Sequence, residues 1–286
     1  MVSIDPKDIP TAKLHGYLLG AVAPRPIAFA STIDVNGNPN LSPYSFFNVF
    51  SANPPIMIFS PARRVRDNTT KHTLENAIAT KEVVINVVNH AIVQQMSLSS
   101  TEYAQGVNEF EKAGLTMLPS DNVKPFRVAE SPVQFECIVK EVISLGNEGG
   151  AGNLIICEVV KLHINENVLT ENGSIDHYKI DLVARAGGSF YSRARDGFFE
   201  IPKPIATLGI GVDQIPEEIR FSTILTGNDL GILGNVEQLP SSDEVEEFKN
   251  TTEISISDNT EINHTIAKEF LTKGDVVTAW KILLVK

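Results

Sequence analysis

The sequence predicts a mainly β fold with helical connections (α+β), a β-barrel followed by a helical C-terminal extension. Three observations carry that expectation. Between Ile27 and His163, β-branched and aromatic residues fall in short runs bounded by Gly, Pro, Asn and Asp, the pattern of strands between turns. Helix-like stretches in that region are few and short, and strand–helix–strand units do not alternate, which argues against a doubly wound dinucleotide fold. Beyond PKPIATLGIGVDQIP the periodicity becomes helical. The chain is therefore divided into a barrel domain, residues 1–204, and an extension, residues 205–286.

IAFASTI and NLSPYSFF are expected to form a hairpin across Asn36-Gly37, a dipeptide that accepts the positive φ of tight turns. PIMIFS is a further short strand. KEVVINVV, Lys81–Val88, is almost continuously β-branched, so both its faces should be buried. TLENAIATK reads as a helix capped by Thr73. His90–Ser100 and Asn108–Lys112 read as two more helices. The long strands Val133–Leu145 and Leu154–Ile164 flank GNEGGAG. A dinucleotide loop needs a helix after its glycines. Here a strand follows, so Gly146–Gly152 is read as a hairpin loop.

In the extension, Ser241 and Glu244 form a capping box. Thr260–Lys273 places Ile262, Ile266 and Phe270 on one stripe, and Ser255–Asn263 reads as exposed. Gly274 should end that helix and Asp275 begin another, with Val276, Trp280 and Leu283/Leu284 inward. Such a hairpin is too short to stand alone, so it is expected to pack on the barrel or on a partner chain.

The formal net charge of −11 disfavours nucleic-acid phosphates. No apolar run approaches the roughly 20 residues of a membrane span, and MVSIDPKDIP lacks the features of a signal peptide; the expectation is a cytoplasmic protein. Cys137 and Cys157 lie in apolar strand-like runs and read as buried free thiols. The six histidines are scattered without ligand spacing, so no metal site is expected.

Two stretches carry chemistry. In LSPYSFFNVFS, Ser42, Ser45, Asn48 and Ser51 recur every three residues among Phe46, Phe47 and Phe50. Strand alternation would send Ser45, Phe47 and Val49 one way and Phe46, Asn48 and Phe50 the other. The second stretch is ARRVRDNTTKH, Ala62–His72, which holds three arginines and a lysine in an acidic chain. It runs into a helix start, where backbone N–H groups and cations suit a phosphate. A flat ring on the strand edge with its phosphate at the helix start would use both stretches; a solvated strand and a solvated loop are the alternatives.

The order PRPIAFAST, LSPYSFFN, PP, SPxxR, KHTLEN and VVINVV, followed by FEKAGL, SPVQFECIV and ARAGGSFY, resembles the flavin reductase-like FMN-binding split-barrel family, and is similar to its flavoredoxin-like branch. The resemblance covers about Leu18 to Tyr191. It implies an FMN-binding split barrel acting as an NAD(P)H-dependent flavin reductase, or alternatively a non-catalytic FMN electron carrier that serves a protein partner. It implies a homodimer with FMN near the interface. It implies flavin contacts at Ser45, Phe46 and Asn48, with Arg25 also reaching the flavin, and phosphate contacts at Ser60, Lys71 and Thr73, with Arg66 and Asn76 close by. Hydride transfer is the flavin's own chemistry, so no catalytic side chain is assigned; His72 and His163 read as surface or core residues. One departure concerns the lysine: where the family has Lys-Asp-Thr, this chain has Lys71-His72-Thr73, so the lysine needs another way of being positioned.

Overall fold

The computed structural model describes residues 1–201 and 208–285. The expected boundary between residues 204 and 205 lies outside the described residues. The chain divides into two compact units, Met1–Phe198 and Phe199–Lys286.

The first unit opens with helix α1 (Thr11–Ala21), then strands β1 (Ala28–Ile33), β2 (Pro39–Tyr44), β3 (Phe47–Ala52) and β4 (Pro55–Phe59). Helix α2 (His72–Thr80) leads into β5 (Glu82–Val87), followed by α3 (Val93–Leu98) and α4 (Glu109–Ala113). A small ladder of β6 (Met117–Leu118) and β7 (Arg127–Val128) precedes the long hairpin β8 (Val133–Ser144) and β9 (Asn153–Ile164); β10 (Val183–Arg185) and β11 (Tyr191–Arg193) close the unit.

Seven strands form one antiparallel sheet in the order β2-β1-β5-β8-β9-β4-β3. β2 and β3 stand at opposite ends of that order, yet only Ser45 and Phe46 separate them in sequence. The three residue steps from Tyr44 to Phe47 span at most about 11 Å. The two edges must therefore meet, and the sheet curls into a barrel split at that link. SPYSFFNVFS, which reads as one interrupted strand, is two strands on the two edges.

Alternation along the strands sorts the core. Ala28, Ala30, Tyr44, Met57, Phe59, Val83, Ile85, Cys137, Val139, Ile155 and Cys157 share one buried cluster, joined by Leu74 and Ala77 from α2. The opposite faces of β1 and β2 supply Phe29 and Leu41 to a second cluster with Met96 of α3 and Phe110 of α4. This is why every residue of β1 is buried and β5 is buried over Val83–Asn86. The β1–β2 turn is held by the Asp34 carboxylate, which accepts from the Asn36 and Asn38 backbone N–H groups at 2.8 and 2.9 Å, with Gly37 at φ +87°. Both cysteines are free and fully buried, and burial pushes the Cys157 thiol up to about 12.

The second unit contains α5 (Glu217–Arg220), α6 (Gly227–Leu233), α7 (Ser242–Thr251), α8 (Thr260–Thr272) and α9 (Val276–Leu284). The capping box at Ser241 and Glu244 is formed, Gly274 takes φ +79°, and Asp275 caps α9. The helical hairpin finds cover within its own unit. Ile215, Ile219, Leu225, Leu233, Ala267, Leu271, Trp280 and Ile282 form one cluster within the unit, and the Trp280 indole donates to the Leu233 carbonyl at 3.1 Å. The expected α8 stripe holds at Ile266 and Phe270, which pack partly buried against this cluster, and fails at Ile262. Ile262 is exposed, whereas Asn263, His264, Ala267 and Leu271 are buried. Asn263 can be buried because its amide pairs with both backbone groups of Ser257, at 2.9 and 2.8 Å. Among the described residues no helix is long and apolar enough to cross a membrane.

Phe59 is fully buried where β4 faces Tyr44, ring to ring at 5.5 Å. Phe59→Ala should lower stability by about 3–5 kcal/mol. Urea unfolding followed by far-UV circular dichroism checks this; a loss below about 1 kcal/mol would contradict the placement of Phe59 in the barrel core.

Candidate functional site

The link between β2 and β3 is clamped from both sides. The Phe46 carbonyl accepts from the Ser60 N–H at 2.9 Å. Opposite it, the buried Arg25 guanidinium donates to the carbonyls of Leu19 (2.7 Å), Val22 and Ala186 (3.2 Å), and to the Ser45 hydroxyl at 3.4 Å. Burial, and then the neighbouring Arg185 charge, pull the Arg25 pKa below the usual arginine value. The Arg25 and Arg185 backbones exchange two hydrogen bonds of 2.8 Å, which brings β10 and β11 beside the link.

Two adjoining recesses result, with Tyr44 and Ser100 common to their walls. The first is mixed in character, with Ile27, Pro43, Met96 and Tyr191 beside Ser45, Ser100 and Arg185 among its polar groups. The Arg185 guanidinium lies over the Tyr191 ring at 4.6 Å. The second is polar, with Arg64, Lys71, Thr73, Ser99, Thr101 and Glu102 among its walls. Lys71 is half-buried; burial, then Arg64, lower its pKa, while Glu102 at 3.7 Å opposes them. Glu102 also accepts from Arg64 Nε at 2.9 Å and Arg66 Nη2 at 3.0 Å. These bonds hold its carboxyl below the ordinary glutamate value.

The expected site residues take different places. Ser45 lines the apolar recess, and Lys71 and Thr73 line the polar one. Arg66 is exposed and is tied to the polar recess through Glu102. Thr73 does not cap α2; Lys71 holds that position, and the Thr73 hydroxyl accepts from the Asn40 amide at 2.8 Å. Asn76 is buried one turn on and donates to Thr32 Oγ1 at 3.1 Å, which extends the polar network behind the recess. Arg25 and Ser60 are buried supports of the link. Phe46 is exposed and meets His15 of α1 edge to face at 6.1 Å. Asn48 is exposed on β3, with its side chain turned to the Val49 N–H at 2.8 Å.

Ser99, Thr101, Glu102, Arg185 and Tyr191 also line the recesses, and residue-type reasoning did not single them out. Arg64 belongs to the basic island and Arg185 and Tyr191 to ARAGGSFY, but no local pattern marks Glu102. It provides the anionic partner that Lys71 lacks at His72, from a distant part of the chain.

The basic loop is shaped by the β8–β9 hairpin loop. Arg63 N–H donates to the Ala151 carbonyl at 2.8 Å, and Gly150 N–H donates to the Arg63 carbonyl at 3.0 Å. A Cβ on Gly149 would lie 3.1 Å from the Arg64 carbonyl and the Val65 backbone, and one on Gly152 would lie 2.7 Å from Ser60 Oγ. Side chains there would push the loop away.

Away from the recesses, Glu136, His163 and Asp121 place one ligand-type atom each within 4.8 Å of one another. Their groups are already engaged. Glu136 is fully buried and accepts from His163 Nε2 (2.6 Å) and from the Asp121 and Asn122 N–H groups (2.8 and 2.6 Å), while Asp121 pairs with Lys161 at 2.6 Å. Burial alone would raise the Glu136 pKa, but those hydrogen bonds outweigh it and the net direction is down.

Residues 20–182 match the flavin reductase like domain family. Nitrilotriacetate monooxygenase component B from Bacillus cereus superposes with a TM-score of 0.66 at 29% identity, over 70% of this chain and 98% of that one. A flavin reductase candidate with a split barrel domain from Shewanella frigidimarina NCIMB 400 gives 0.60 at 27% identity, over 71% and 100%. Flavoredoxin of Desulfovibrio vulgaris (Miyazaki F), at 22% identity and a TM-score of 0.54 over 65% and 93%, shares the fold. The chain belongs to the flavin reductase-like family, and its barrel is the split barrel of that family.

Because the native pKa of Glu136 is depressed, its stabilisation is present above the unfolded-state value and is lost as pH falls through the native value. Glu136→Gln should therefore be least stable relative to wild type at neutral pH, and the gap should close on acidification below about pH 4. Urea unfolding at a series of pH values tests this; a gap that widens toward acid would contradict the assigned direction.

Proposed function

We propose that the barrel unit binds a flavin mononucleotide and acts as an NAD(P)H-dependent flavin oxidoreductase. The observation that carries this reading is the pair of adjoining recesses. One end offers Arg64, Lys71 and the hydroxyl-bearing residues Ser99, Ser100 and Thr101, suited to a phosphate monoester; the other offers Ile27, Pro43, Met96 and Tyr191 with one arginine, suited to a planar ring with polar edges. The shared walls at Tyr44 and Ser100 let one ligand use both. The donor set fits FMN: cations and hydroxyls for the phosphate, Pro43, Met96 and Tyr191 for ring packing, and Ser45 for a polar ring edge. The match of residues 20–182 to the flavin reductase like domain supports a flavin cofactor.

When bound, the flavin supplies the hydride and electron chemistry itself. The chain's part is positional and electrostatic. Lys71 and Arg64 neutralise the phosphate, and partial burial strengthens that interaction by removing competing water. Arg25 holds the Ser45 hydroxyl in place and orients the link on which the ring would lie. Arg185 is the cation of the ring recess, and a fixed positive charge there favours the reduced, anionic form of the ring system. Ile27 and Met96 keep water from one side.

A second copy of the chain is part of the proposal. Val49 and Phe50 on the edge strand β3, Phe46 beside them, and Tyr17, Leu18 and Val22 at α1 are exposed, and the His15–Phe46 contact joins the two groups. A homodimer would cover this apolar surface beside the ring recess. Phe50→Glu should then yield a monomer with weaker FMN binding, measured by light scattering and flavin fluorescence; a monomer with undiminished affinity would separate the dimer from the site.

The principal test is an absorbance spectrum of the protein with FMN added, with Lys71→Ala and Arg64→Ala alongside. Each substitution removes a charged phosphate contact and should weaken FMN about 10- to 100-fold while changing riboflavin little. Reduction of bound flavin by NADH or NADPH on mixing then supports the enzyme over a carrier fed by a partner protein. No flavin binding at micromolar concentrations would sink the proposal.

A further inference from the structure

We infer that Glu102 is a built-in competitor for the phosphate end of the site, a carboxylate that holds the cations until a phosphate monoester displaces it. The inference rests on the flavin reading above and extends it to how the flavin is held.

The geometry is that of a bound anion. One Glu102 oxygen accepts from Arg64 Nε at 2.9 Å and lies 3.7 Å from Lys71 Nζ, and the other accepts from Arg66 Nη2 at 3.0 Å. Three cations that come from the segment leading into α2 thus converge on one carboxylate that comes from the segment after α3. Glu102 lines the polar recess together with Arg64 and Lys71, so it stands where an incoming anion would have to be. Two sources of negative charge cannot share that space without repulsion.

The carboxylate is also placed to leave. Its side chain is 43% exposed and Arg66 is 72% exposed, and ion pairs in contact with water are individually weak. The segment between α3 and α4 has no strand ladder; its backbone bonds near Glu102 are local, from Thr101 N–H to Leu98 and from Tyr103 N–H to Thr101. A phosphate dianion brings twice the charge and three acceptor oxygens to the same cations. It can replace Glu102 at Arg64 and Lys71, after which the glutamate returns to solvent.

Such a competitor sets the flavin's residence. Every FMN that binds must break the Glu102 contacts, and every FMN that leaves is replaced by them, so affinity is reduced by the fraction of protein in which Glu102 is seated. The site would then hold FMN as an exchanging substrate. Riboflavin, which lacks the phosphate, would not need to displace Glu102.

The test is flavin fluorescence titration of the full chain and of Glu102→Gln and Glu102→Ala, with FMN, with riboflavin, and with inorganic phosphate as competitor. Both variants should bind FMN about tenfold more tightly, retain it through a desalting column, leave riboflavin affinity unchanged, and be inhibited by lower concentrations of phosphate. Wild type that binds FMN while the variants bind it equally or more weakly would overturn the inference, because Glu102 would then be positioning the cations. Equal tightening of FMN and riboflavin would also overturn it. Failure of wild type to bind either flavin would instead overturn the flavin reading on which the inference rests.

Discussion

The barrel depends on a length constraint. Two residues, Ser45 and Phe46, connect strands at the opposite edges of a seven-stranded sheet. A flat sheet of that width would need a connection several times longer, so closure follows from the chain itself. Closure concentrates polarity at the link, where backbone groups leave the ladder and need other partners. The Ser60 N–H meets the Phe46 carbonyl, and the Arg25 guanidinium ties the Ser45 hydroxyl to the carbonyls of Leu19, Val22 and Ala186. The recesses sit here because the link interrupts the regular wall. Site and closure are the same local event.

Most of the framework was legible in sequence because it rests on local rules. The Asn36-Gly37 turn, the buried β5, the β8–β9 hairpin around its glycines and the caps at Ser241 and Asp275 each follow from residues within a few positions of one another. The meaning of SPYSFFNVFS was not legible, since a strand that continues and a strand that crosses to the far edge have the same composition. One position of the α8 stripe was not legible for a related reason. Ile262 looked like core and Asn263 like surface, but Asn263 is satisfied by Ser257 and His264 by the Ser222 hydroxyl at 2.7 Å, and such pairing is invisible to hydropathy.

The candidate site divides in the same way. Ser45, Lys71 and Thr73 stood in patterned stretches, and they line the recesses. Arg185 and Tyr191 come from a hairpin some 140 residues beyond Ser45, placed by its backbone pairing with Arg25. Glu102 comes from a segment with no distinguishing composition. Residues of this kind become visible only when the fold brings opposite charges to within hydrogen-bonding distance. Thr73 and Asn76 illustrate the converse: polar residues at a helix start also serve the interior, and their bonds to Asn40 and Thr32 account for their burial.

The glycines at 149 and 152 act as a mould. They bear no charge and offer the ligand nothing, yet their missing side chains define where the Arg63–Val65 backbone and Ser60 can lie. Charge and shape around these cations are thus encoded in separate parts of the chain, about 85 residues apart. Divergence in the hairpin loop can widen or narrow the space around the cations without altering any of them, and divergence in the basic loop can change the charge without recasting the space. A pocket specified by two segments in this way has two independent dials for adapting to ligands of different size and charge.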